Sequence, residues 1–288
     1  MFSKALIATD LSPVSFVVVK HLGGLKALGT KDCLLLQCLG LGELPGIAFG
    51  TIRDLLISNL AEQKRILEKQ GFRVNTEVVM GSPQVEINKL AHEKKYPLVV
   101  VGSHGNTLAS EILLGGVSSA VIHHAIKPTL LIRINIDNKK NFHLGKSDFL
   151  NHVLFPTDFS KNADNAFAYL QKMVESEAKR VTLLHVQNKT RITPHLVHRL
   201  AEFNKIDMER LEKMKEKLTS KSKASVNIQV DSGYPMTEII RQSKKNKASL
   251  ILMGSQGHGF VSEIFLGSVS HNVARNSKVP VLLIPMTR

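Results

Sequence analysis

Residues 250–270 read LILMGSQGHGFVSEIFLGSVS, and residues 98–118 read LVVVGSHGNTLASEILLGGVS. Each stretch is an apolar run, a glycine-bearing turn, a spacer and a second glycine. The apolar runs (Leu98–Val101, Leu250–Met253) show no polar alternation, as expected of a parallel strand covered on both faces. The two stretches stand 152 positions apart, and Gly81/Gly233 and Pro128/Pro280 keep that offset. Upstream the offset is 148: Asp10 in ATDLS matches Asp158 in PTDFS, and Cys38 ends LLLQC where Val186 ends TLLHV. A four-residue insertion before the Gly81/Gly233 turn accounts for the change. The chain is a tandem repeat over nearly its whole length.

Each copy reads outward in the same way. A first strand (Ala5–Thr9; Val153–Thr157) leads through a polar turn to a helix. A second strand follows (Cys33–Cys38; Val181–Val186), then a long helix (Arg53–Gln70; Leu196–Leu218), the first of these stopped by Gly71. A third strand (Arg73–Val79; Val226–Val230) meets the Gly81 or Gly233 turn, and Pro83 or Pro235 opens the next helix, where a missing N–H costs nothing. The glycine loop, a short helix and a fifth strand (Thr129–Ile134; Val281–Ile284) complete the unit. Strands alternating with helices predict an α/β fold: two tandem open-sheet domains, each a five-stranded parallel sheet with helices on both faces. The expected boundaries are 1–135 and 150–288, with the polar, lysine-rich segment 136–149 as linker.

The 288 residues suffice for two cores, and 43% hydrophobic with 22% charged residues reads as globular. No apolar run reaches the ~18 residues of a membrane helix. Met1–Ala8 lacks a signal-peptide pattern and reads as the first strand, so the expected location is cytoplasmic, without membrane contact. Cys33 and Cys38 lie five apart in one strand, on opposite faces, so they read as buried reduced thiols that cannot bridge. No HExxH or CxxC is present, and no metal ligand set is expected. The net charge of +14 raises the question of a polyanion. Much of the excess lies in Lys205–Lys223, where acids alternate with bases as on a solvated helix face. Trp is absent and aromatics are only 5%, so nucleic-acid binding is disfavoured.

The glycine loops carry the chemistry. They match neither GxxxxGK[ST] nor a GxGxxG after the first strand. Their logic is still that of an anion site. Gly102 and Gly105, or Gly254 and Gly257, let backbone pass close to a ligand beyond the strand end at Val101 or Met253. The distal Gly115-Gly116-Val117-Ser118, or Gly267-Ser268-Val269-Ser270, opens a helix whose N–H groups and dipole favour phosphate. Ser268 and Ser270 are read as hydroxyl donors to the ligand or as caps of that helix. Asp10 and Asp158 reach the same rim, where a carboxylate suits ribose hydroxyls and repels phosphate. Alone, a GxxG after a strand is a plain turn and an Asp there a helix cap; duplication at matched offsets argues against both. His104 and His258 occupy non-equivalent positions and read as exposed loop residues, and His185 as structural.

These residues resemble the universal stress protein family, whose phosphate signature is G-x2-G-x9-G-[ST]. The second copy matches at Gly254, Gly257, Gly267 and Ser268; the first departs at Gly116, where Ser or Thr is expected. The resemblance implies strand order 3-2-1-4-5 in each half. It implies ATP as ligand, with AMP as the other candidate, and Mg²⁺ only together with the nucleotide. The adenine would lie against backbone at Cys38 and Val186, with the aspartates at the adenosine and the loops around the phosphates; the Gly-x-Pro turns at Gly81 and Gly233 also fit the family and are counted among the binding residues. It further implies pairing through Thr129–Ile134 and Val281–Ile284, making the chain a pseudo-dimer of its own halves; association of two chains is left open. The Gly116 departure predicts unequal sites, the second the tighter. The expected role is a nucleotide-binding regulator of partner interactions with no catalytic residue. A nucleotide-free scaffold, a slow ATPase and an adenylyl-transferring relative are the alternatives.

Overall fold

A computed structural model describes residues 1–40, 49–104, 114–136, 142–144, 147–188, 199–220, 222–257 and 266–286. The chain divides into two compact units, Met1–Ser147 and Asp148–Arg288. The first unit holds β1 (Lys4–Thr9), α1 (Pro13–Lys20), β2 (Asp32–Leu39), α2 (Phe49–Lys69), β3 (Arg73–Met80), α3 (Pro83–Glu93), β4 (Val99–Gly102), α4 (Gly116–His123) and β5 (Thr129–Ile132), followed by two short strands, β6 (Ile134–Ile136) and β7 (Phe142–Leu144). Its sheet runs β3-β2-β1-β4-β5, every neighbour parallel. This is the expected 3-2-1-4-5 order.

The second unit repeats it with β8 (Val153–Thr157), α5 (Lys161–Glu175), β9 (Arg180–Asn188), α6 (Leu200–Thr219), β10 (Ser225–Gly233), α7 (Pro235–Lys245), β11 (Leu250–Gly254), α8 (Ser268–Asn276) and β12 (Val281–Ile284). The order β10-β9-β8-β11-β12 is again all parallel.

Burial follows the sequence pattern. Leu6, Val99, Val100, Leu130 and Leu131, from central β1, β4 and neighbouring β5, have no exposed surface. Removing such a side chain from water is worth about 1.5–3 kcal/mol. The edge strands β3 and β10 are half-buried, matching their mixed sequences RVNTEVVM and SVNIQVDSG. In α2, Leu60, Gln63 and Leu67 are wholly buried on one helical face, and Gln63 Nε2 donates to Ser15 Oγ of α1 at 3.0 Å. Gly71 ends α2 in the left-handed region (φ 85°), a conformation that costs glycine little.

Right-handed crossovers settle which face each helix covers. The path β1-β2-β3 moves across the sheet one way, and β4-β5 the other. Accordingly α1 packs on α2, and α3 on α4. The direction reverses between β1 and β4, and a crevice opens there at the carboxyl ends of the strands.

The stretch read as a linker holds structure of its own. The strands β6 and β7 pair antiparallel, in register Ile134–Leu144. Arg133 interrupts the expected Thr129–Ile134 strand and separates β5 from β6. No helix among the described residues is long and apolar enough to cross a membrane.

Candidate functional site

The turn after the first strand is the same in both units and is built by its side chains. Thr9 Oγ1 accepts the Leu11 N–H at 3.2 Å, and Thr157 Oγ1 that of Phe159 at 3.0 Å. Asp10 Oδ1 accepts from the Ser12 N–H (3.0 Å) and hydroxyl (2.6 Å); Asp158 Oδ1 accepts from the Ser160 N–H at 3.1 Å. Ser12 and Ser160 then cap α1 and α5, each accepting a first-turn N–H at 3.2 Å. The aspartates are therefore not the caps; they hold the caps in place. Leu11 and Phe159 are forced into the left-handed region (φ 59° and 60°). Such a backbone costs about 1–3 kcal/mol in a non-glycine residue, and the paired side-chain bonds on either side hold it.

Among the described residues, no side chain caps the helices that follow the glycine loops. Gly115 and Gly267 are the N-caps of α4 and α8, both with extended backbone, and neither first turn carries an acidic residue. The first-turn N–H groups belong to Gly116, Val117 and Ser118, and to Ser268, Val269 and Ser270. They form a positive, donor-rich helix end. Within the loops some donors are already engaged. Ser103 and Ser255 N–H bond to Ile132 and Ile284 carbonyls at 2.9 and 2.8 Å. Gly115 and Gly267 N–H return to the Ser103 and Ser255 carbonyls at 2.8 and 2.7 Å. Ser270 is read from sequence as a hydroxyl donor to the ligand or a helix cap, and Ser118 is its counterpart in the first unit. Instead their hydroxyls donate to the Gly102 and Gly254 carbonyls at 2.5 and 2.9 Å, tying each helix to the strand end.

In the first unit these parts enclose a cleft of about 320 Å³, within the size range of small-molecule sites. Asp10, Cys38, Val101, Gly102, Gly115, Gly116, Val117 and Ser118 all line it. Gly105 lies outside the described residues. Gly81 does not line the cleft: a Cβ there would meet Glu86 Cγ at 2.7 Å, and its φ of 141° serves the turn into α3. Pro83 and Ile87 of that helix form the wall instead. Thr9, Gln37 and His104 also line the cleft, and sequence reading does not anticipate them. His104 is only partly exposed, with Nδ1 2.9 Å from Ser103 Oγ, so it is a wall residue and not an exposed loop residue. Burial, with a smaller contribution from the Glu86 charge, pushes the Cys38 thiol up to about 12, so Cys38 is a neutral apolar wall.

In the second unit the turn closes tightly on the aspartate. A Cβ on Gly257 would collide with Asp158 Oδ2, and one on Gly254 would stand 2.9 Å from the Asn162 amide. With its amide oxygen turned to the loop, as hydrogen bonding requires, Asn162 accepts from Ser255 and Gln256 N–H at 3.0 and 2.9 Å. The α8 first turn, Ser268–Ser270, presents its N–H groups beside this turn. Val186 and Met253 are buried. Gly233 packs on Glu238, as Gly81 does on Glu86. His185 is held by the Thr157 carbonyl at 2.8 Å and stacks on Phe159, with centroids 4.6 Å apart. His258 lies outside the described residues. Among the described residues no three His, Cys, Asp or Glu side chains converge as a metal site.

Comparison with known proteins accords with this geometry. Residues 1–133 and 150–285 match the universal stress protein family. Universal stress protein MJ0577 of Methanocaldococcus jannaschii is 30% identical over 155 residues, covering 46% of this chain and 96% of its own. Universal stress protein Slr1230 of Synechocystis is 24% identical over 291 residues, 97% of this chain and 88% of its own. The crystal structure of a universal stress protein from Archaeoglobus fulgidus aligns over 98% of this chain and 95% of its own, with a TM-score of 0.71 and 28% identity. With both halves of the chain matched, this chain belongs to the universal stress protein family, as a tandem two-domain member.

Proposed function

We propose that the chain is an ATP-binding regulatory protein whose nucleotide occupancy alters the surface it offers to partners. One observation carries the reading: in each unit a glycine-capped helix with no acid in its first turn starts at the strand ends, where an aspartate also stands. An N–H-rich positive helix end suits phosphate, and a carboxylate suits ribose hydroxyls. In the first unit both line one cleft. The phosphates rest on Gly116–Ser118 and Ser268–Ser270, the nucleoside toward Asp10 with Cys38 and Asp158 with Val186. AMP is the other candidate ligand. Mg²⁺ arrives with the nucleotide, held by its phosphates. The role is regulatory, not enzymatic. The second site is the tighter, because Ser268 adds a hydroxyl that Gly116 lacks.

Calorimetric titration of the full chain with ATP tests this. Two unequal binding events are expected, together with a rise in melting temperature as occupancy grows. No heat and no melting shift at millimolar ATP would end the reading.

A further inference from the structure

Asn162, in the first turn of α5, is 1% exposed and lies against the second glycine loop. A Cβ added at Gly254 would stand 2.9 and 3.1 Å from its amide group. The amide oxygen accepts from the Gln256 N–H at 2.9 Å and shares the Ser255 N–H, which also reaches the Ile284 carbonyl. The opposite orientation would set the amide nitrogen against both N–H groups in return for one long contact, 3.4 Å, to the Gln256 carbonyl. A buried amide takes the orientation that satisfies it, so this asparagine is an acceptor for the loop.

The two sides of the second site meet at Gln256. On one side Gly257 passes so close to Asp158 that even a Cβ would collide with Oδ2. On the other, the Ser255 carbonyl accepts the Gly267 N–H at 2.7 Å. A Cβ on Gly267, the N-cap of α8, would lie 3.4 Å from Gln256 Cα. Fixing the Gln256 N–H therefore fixes the turn against the aspartate and against the helix start together. In the first unit the position matching Asn162 is Val14, at the 148 offset that relates Asp10 to Asp158. Val14 is fully buried and has no acceptor to offer. A Cβ at Gly102 would meet Val18 Cγ2 at 3.3 Å, so Gly102 faces an apolar α1 where Gly254 faces a hydrogen-bonding amide. A loop held in place before its ligand arrives loses less freedom on binding.

Building on the nucleotide reading, we propose that Asn162 is a positioning residue of the second site, holding the Gly254–Gly257 turn ready for the nucleotide through the Gln256 N–H. The full chain is followed by amide hydrogen exchange and by a ¹H–¹⁵N titration with ATP, in which Val269 and Ser270 report the second site and Val117 and Ser118 the first. Asn162→Leu, close to asparagine in shape but without an acceptor, should speed exchange of the Gln256 amide. It should also weaken ATP at the second site roughly threefold to tenfold and leave the first site unchanged. Asn162→Ala makes the same test should leucine not fit. Asn162→Asp presents oxygen in either orientation and should keep the Gln256 amide protected. Unchanged Gln256 exchange in the leucine and alanine variants, or lost protection in the aspartate variant, overturns the proposal. So does faster exchange with undiminished ATP affinity at the second site; both results leave the nucleotide reading intact. No response of Val269 and Ser270 to ATP in the unsubstituted chain overturns that reading of the second site and the proposal with it.

Discussion

Replacing Gly116 by serine gives the first unit the residue that the second carries at Ser268, and the structure shows that there is room for it. A Cβ built on Gly116 meets nothing within 4 Å, and its φ lies outside the left-handed region, so serine enters without strain. The added hydroxyl stands at the first helical position of α4, at the cleft mouth. One neutral hydrogen bond contributes about 0.5–1.5 kcal/mol, a roughly threefold to tenfold gain in affinity. Serine also has a better helix propensity than glycine, by about 0.5 kcal/mol in a helix interior. That term acts on folding and not on the ligand, so Gly116→Ala, which shares most of the backbone benefit without the hydroxyl, is the control. The assay is titration calorimetry with ATP in the Gly257→Val background, which leaves the first site alone to bind. The serine variant should bind more tightly than both the alanine variant and the chain that keeps Gly116. Equal affinities for the serine and alanine variants would refute the reasoning, and weaker binding by serine would show that the helix mouth is not where phosphate rests.

Other perturbations have equally definite outcomes. Gly257→Val drives a side chain against Asp158 Oδ2, where even a Cβ collides, so ATP binding at the second site should disappear while that at the first persists, read as the loss of one of two calorimetric events. Ser160→Ala removes the α5 cap and should lower stability by about 1 kcal/mol, seen as a lower urea midpoint. Burial raises both thiols, Cys33 and Cys38, to about 12 from an ordinary 9.0, so they should resist thiol reagents at pH 8 in the native chain and react on unfolding. The same shift makes their contribution flat below pH 9. Above it the unfolded state loses these protons first, so stability falls by about 1.4 kcal/mol per thiol per pH unit towards 12; Cys33→Ala should show a shallower decline in urea midpoint.

Much of the fold is legible because its signals are local and occur twice. Uniform apolar runs such as Leu98–Val101 mark buried parallel strands, and the mixed pattern of Arg73–Met80 marks an edge. The β6–β7 pair is hidden because a polar, lysine-rich stretch carries no alternation to announce a strand. In the site, Asp10, Cys38 and Gly115–Ser118 are legible because residue type and position at a strand or helix end suffice to place them. Gly81 misleads because a glycine before a turn looks alike whether it approaches a ligand or, as here, the Glu86 side chain. Ser118 and Ser270 stand where donors belong, yet only coordinates show their hydroxyls turned back to Gly102 and Gly254. The ladder through Thr9, Asp10 and Ser12 is accessible in principle, since threonine, aspartate and serine in the repeated T-D-x-S are the side chains that bond backbone two or three residues on. Gln37 offers no such cue: a glutamine inside a strand does not announce that it will line a cleft.

The central claim is that the first turns of α4 and α8 receive the phosphates of an adenine nucleotide. A ¹H–¹⁵N correlation spectrum of the full chain, recorded through a titration with ATP, tests it most directly. The amides of Val117, Ser118, Val269 and Ser270 should shift most and saturate, the second pair at the lower ATP concentration. Unmoved amides at both helix starts, with ATP saturating resonances elsewhere, would contradict it.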